Sequence, residues 1–74
     1  MEKVNKVGVP ELMAIPAGET KTFILPTGSK RASAQTQAYK QPLLNPRPDV
    51  ERYECKSLKP TDDGFPISIT AVKK

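Results

Sequence analysis

The sequence predicts an α+β domain: a small, mainly antiparallel sheet of three or four strands with one helix packed on one face. Two signals lie in the C-terminal third, where residues 52–58 and 67–72 alternate between two sets of side chains on either side of an Asp63-Gly64 turn. The third is a run without Gly or Pro at residues 30–41, preceded by a shorter alternating segment at residues 20–25.

At the N-terminus, Val4, Val7 and Val9 are too sparse for a helix, and Gly8 and Pro10 interrupt any long strand. Residues 1–10 are therefore expected to be a flexible arm, with residues 11–74 forming a single domain. Residues 11–15 and 20–25 are two short apolar runs around Pro16-Ala17-Gly18-Glu19, and together they read as a first hairpin turned at Gly18. Within the second run Phe23 and Leu25 share one face and Thr22 and Ile24 the other, so one face should be core.

Pro26-Thr27-Gly28-Ser29 stops that strand, and either Thr27 or Ser29 offers a hydroxyl to cap a helix. The helix should run from about Lys30 to Gln41 and end before Pro42, where helical geometry is disfavoured. Ala34 and Ala38, one turn apart, mark its inward stripe, with Ala32 and Tyr39 close to the same line. Leu43 and Leu44 are expected to seal one end of the core, and residues 45–49 to form a proline-stiffened connector. In the closing hairpin Tyr53, Cys55 and Ser57 alternate with Arg52, Glu54 and Lys56. Ile67, Ile69 and Ala71 alternate with Ser68, Thr70 and Val72, which gives one buried and one wet face.

A chain of 74 residues holds one thin core at most. With one Cys there is no internal disulfide framework, and Cys55 reads as a small buried hydrophobe. No stretch is apolar enough for a membrane span and no signal-peptide pattern opens the chain, so a cytoplasmic location is expected, with no membrane partner.

The absence of His, the lone Cys and the lack of clustered carboxylates leave no nucleophile–base or acid–base pair, so no enzymatic activity and no small-molecule substrate are expected. Nor is there a ligand set for a metal; Asp62 and Asp63 are turn formers without calcium-loop spacing, and no cofactor is expected. Gly28-Ser29-Lys30 is not a phosphate loop, because Phe23 occupies the position of that motif's first Gly and the order of Ser and Lys is wrong.

Charge distribution is the informative feature. Residues 29–48 contain Lys30, Arg31, Lys40 and Arg47 and no acid, while the rest of the chain balances its charges, so the net +4 resides in this segment. A helix start with two cations favours an anion, and Gln35, Gln37 and Tyr39 add uncharged hydrogen-bonding groups. The expected function is non-enzymatic binding of DNA or RNA, with Lys30, Arg31, Lys40 and Arg47 on phosphates and Gln35, Gln37 and Tyr39 on bases. Two other accounts remain open: a solvated helix face that merely lacks acids, and a protein-interaction or assembly module, homodimeric or bound to a heterologous protein, using open sheet edges.

Thr22-Phe23-Ile24-Leu25, the polar helix at residues 30–39, the segment RYECKS, an acidic turn and the closing ISITAVK together resemble small proteins encoded by gut Bacteroidales phages and mobile elements. The resemblance covers roughly residues 20–74 and rests on the strand–helix–hairpin layout. It implies DNA or protein binding, and it transfers no functional residue.

Overall fold

The computed structural model describes residues 2–74, with Glu2 described by its backbone. In chain order the elements are β1 (Glu2–Lys3), α1 (Val9–Met13), β2 (Thr20–Leu25), α2 (Gly28–Leu44), β3 (Val50–Ser57) and β4 (Phe65–Lys73). Three antiparallel strands in the order β2-β4-β3 carry the sheet, and the two-residue β1 adds to β2 in parallel. The α+β architecture is the expected one, with a helix against one sheet face.

The alternation of the closing hairpin buries Tyr53, Ile67, Ile69 and Ala71 as expected, whereas Cys55 is half-buried and Ser57, at the strand end, is exposed. Tyr53, Ile67, Ile69 and Ala71 are buried with Phe23 and Leu25 of β2, forming the core with Leu12, Ile15, Ala34 and Ala38. On the opposite face Thr20 pairs with Thr70 at 2.6 Å and Thr22 with Ser68 at 3.0 Å, joining β2 to β4 through hydroxyls. Ile24, on that outer face, is nevertheless buried. The connection to β4 closes over it at Gly64, whose φ of +136° and position beside Ile24 and the Leu25 carbonyl leave no room for a side chain.

The first hairpin expected at residues 11–15 and 20–25 is not formed, because residues 9–13 are helical. Gly8 is the N-cap, Pro10 lies in the first turn, and Glu11 reaches back so that its Oε1 accepts the Gly8 N–H at 2.6 Å. Gly18, with φ of +85°, still makes a turn, and it leads from α1 into β2. Met1, the first residue of the expected arm, lies outside the described residues. The rest of the arm runs along the molecule: Glu2 and Lys3 pair with Phe23 and Ile24, and Val7 is buried.

Thr27 caps α2, its Oγ1 accepting the Lys30 N–H at 3.1 Å. The helix does not stop before Pro42. The ring removes one N–H, but the next turn closes through the Asn45 N–H to the Gln41 carbonyl at 2.7 Å, and Asn45 Nδ2 donates to Gln41 Oε1 at 3.2 Å. Two expectations fall with this extension. Leu43 (85% exposed) and Leu44 (62%) point to solvent and do not seal the core. The inward stripe is Ala34, Ala38 and Gln41, while Ala32 and Tyr39 are exposed.

Candidate nucleic-acid interface

At about 100° per residue, the rotation of α2 fixed by Ala34 and Ala38 sorts the helical residues of the acid-free segment, and with Arg47 from the connector after the helix they fall into three groups. The first turns inward. Arg31 donates from Nη1 to the Leu58 carbonyl at 2.9 Å and to the Pro66 carbonyl at 3.5 Å, and its guanidinium lies over the Phe65 ring, 5.3 Å from the centroid. Arg47, with 11% of its side chain exposed, donates from Nη1 to the Ile15 carbonyl at 2.6 Å and more distantly to the Leu12 carbonyl and the Tyr53 hydroxyl. Its Nη2 pairs with Asp49 at 3.4 Å. The Tyr53 hydrogen bond is foremost in raising the Arg47 pKa, against the opposing effect of burial. Both arginines expected on phosphates thus join elements of the fold.

The second group is Gln35 and Tyr39, on one flank of α2, where Gln35 Nε2 donates to the Tyr39 hydroxyl at 3.5 Å. The third is Lys30, Gln37 and Lys40, which helical geometry places within about 80° of one another on the other flank. The seven residues expected to form one surface are therefore divided among the interior and two opposite flanks.

The Lys30–Gln37 flank is one wall of a groove of about 470 Å³. Its other wall is residues 5–9, brought there by the turn into α1. Val7 and Ala34, both buried, supply apolar surface, and Asn5, Lys6, Lys30, Ser33 and Gln37 supply polar groups. None of these five polar side chains has a hydrogen-bond or ion-pair partner among the described residues. Glu11, the acid nearest in sequence to this wall, accepts the Gly8 N–H through Oε1 and leaves one negative charge beside Gly8 against the two lysines. The result is a concave, cationic surface near the N-terminal, positive end of a helix of 17 residues.

Asn5, Lys6 and Ser33 were not singled out by the sequence pattern. The signal that brings the first two to α2 is Gly8-Val9-Pro10-Glu11, a helix start with Pro in the first turn and Glu at its third position, which turns the chain back on itself.

Among the described residues no group of His, Cys, Asp and Glu is placed to hold a metal ion, and no helix is long and apolar enough to cross a membrane. Fold and groove define a small α+β domain with a cationic cleft beside its main helix. Comparison with models of known families, with curated proteins and with solved structures finds no match.

Proposed function

We propose that this chain is a non-enzymatic nucleic-acid-binding protein that holds a phosphodiester backbone along the groove flank of α2. The observation carrying this reading is the set of unpartnered polar side chains in the groove, Lys6 and Lys30 among them, on the side of an acid-free helix that also bears Lys40. Cations without protein partners are free to replace the counterions of phosphates, whereas Arg31 and Arg47 are not. Titration of a labelled oligonucleotide tests it. Affinity should fall with salt on a log–log slope of about −2 to −3, as three phosphate contacts require. Absence of binding at ~50 mM salt, where screening is weak, would rule the reading out.

A second reading, a self-associating or partner-binding module with no nucleic-acid role, draws on the exposure of Tyr39, Leu43 and Leu44 at the far end of α2. Sedimentation velocity separates the two. Self-association abolished by Leu43→Glu, without salt-dependent oligonucleotide binding, would favour this second reading.

A further inference from the structure

We propose that the groove between residues 5–9 and α2 admits one unpaired nucleotide, so that the protein prefers single-stranded DNA or RNA to the duplex; this rests on the nucleic-acid reading above. A phosphate backbone alone requires only an exposed row of cations. The cations here instead rim a concavity open on one side, whose volume of about 470 Å³ lies within the range of small-ligand sites. A base inside a duplex is stacked and paired, and only an unpaired one can be splayed into such a cleft.

The lining matches the parts of a nucleotide. Val9, 36% exposed, offers apolar surface for the face of a base, and the buried Val7 and Ala34 form the floor beneath it. Asn5 and Gln37 each carry an amide with donors and an acceptor, the complement required at a base edge. Ser33 offers a hydroxyl for the sugar, and Lys6 and Lys30 place a cation on either wall for the flanking phosphates. All five polar side chains are without partners among the described residues, so binding breaks no hydrogen bond of the fold. No aromatic ring lines the groove. The base is therefore held by apolar contact and edge hydrogen bonds rather than by stacking on a ring.

The test measures anisotropy of three labelled oligonucleotides of one sequence, as single-stranded DNA, single-stranded RNA and DNA duplex, at ~50 mM salt. Either single strand should bind about tenfold more tightly than the duplex, and the DNA and RNA arms show which sugar Ser33 favours. Gln37→Ala should weaken single-strand binding about five- to tenfold, the loss expected for base-edge hydrogen bonds, and weaken duplex binding by clearly less. Ser33→Phe, at an exposed helix position, fills the cleft and should bring single-strand affinity down to the duplex level with an unchanged melting curve. Equal affinity for duplex and single strand, or wild-type single-strand binding by Ser33→Phe, would overturn the nucleotide cleft while leaving nucleic-acid binding standing. Failure to bind any of the three would overturn both.

Discussion

The Arg47 guanidinium stands 2.6 Å from the carbonyl oxygen of Ile15, joining the connector before β3 to the chain leaving α1. Tyr53 approaches the same place from β3, its hydroxyl donating to the Leu12 carbonyl at 3.3 Å. A helix of five residues is far below the ~12–15 at which helices become marginally stable alone. With no basic residue in its own last turn, α1 closes through the Ala14 and Ile15 N–H groups, and Arg47 adds donors from 32–35 residues away to the Leu12 carbonyl and to the Ile15 carbonyl just beyond the helix. Arg47 thereby anchors the C-terminal end of α1, the helix that follows the groove wall of residues 5–9.

Arg47→Ala should lower stability by about 1.5–3 kcal/mol, the range for hydrogen bonds to a charged group. Arg47→Lys should recover little of it, because a single ammonium cannot reproduce a fork that reaches two carbonyls, a hydroxyl and Asp49 at once. Urea unfolding of the two variants measures this. Wild-type midpoints would show that the contacts contribute nothing.

Arg31 and Lys30 are adjacent in sequence and should respond in opposite ways. Arg31→Ala removes donors to the Leu58 and Pro66 carbonyls and the cation over Phe65, and should cost about 1–3 kcal/mol. Lys30→Ala, at an exposed position, should stay within about 0.5 kcal/mol of wild type and reduce oligonucleotide affinity instead. Thermal melts beside binding titrations of both variants distinguish the roles.

That contrast shows what was legible in the sequence. Period-2 alternation in residues 20–25, 52–58 and 67–72 places the antiparallel strands, since each residue's face follows from its parity alone. The helix carries no such economy. Its stripe of alanines is narrow, so a rotation of one residue exchanges Lys30 for Arg31 as the solvent-facing cation, and packing against β3 decides between them. Pro42 reads as a stop, yet Gln41 and Asn45 close another turn beyond it. Lys30 and Gln37 were visible as part of an acid-free run. Asn5 and Lys6 reach them through long-range placement, by the pairing of β1 and Val4 with β2, the burial of Val7 and the contacts of Arg47 and Tyr53 with the end of α1.

Gly64 should tolerate no side chain. A Cβ there would stand 2.5 Å from the Leu25 carbonyl oxygen and 3.0 Å from Ile24 Cγ2, with φ at +136°. Gly64→Ala combines a backbone strain of about 1–3 kcal/mol with a collision against main chain, and should lower the melting temperature more than alanine at Gly28, where the nearest atom outside the helix is 3.8 Å away.

Gln41 is fully buried, and its Nε2 has no partner while its Oε1 accepts from Asn45. A buried amide donor left unpaired costs about 1–3 kcal/mol, more than one neutral hydrogen bond contributes. Gln41→Met keeps the length and approximate shape of the side chain and removes the unpaired donor. Its midpoint in urea should rise; a lower midpoint would show that the Asn45 contact outweighs the orphaned N–H.

Cys55 lies on β3 opposite Ile69 and packs against the core, and burial pushes its pKa from 9.0 up to about 11. At pH 8 its thiolate population is thus about a hundredfold lower than that of an unfolded cysteine, and alkylation should be slowed in proportion until the protein is denatured. The direction of the stability effect follows from proton counting. Below pH 9 the thiol is protonated in both states and adds no pH dependence. Between pH 9 and about 11 the unfolded chain has lost the proton that the folded chain keeps, so stability falls as pH rises. Cys55→Ala removes this contribution whatever its effect at neutral pH. The wild type should therefore lose stability more steeply than the variant across that interval, and parallel curves would show that the thiol ionises equally well in the folded protein.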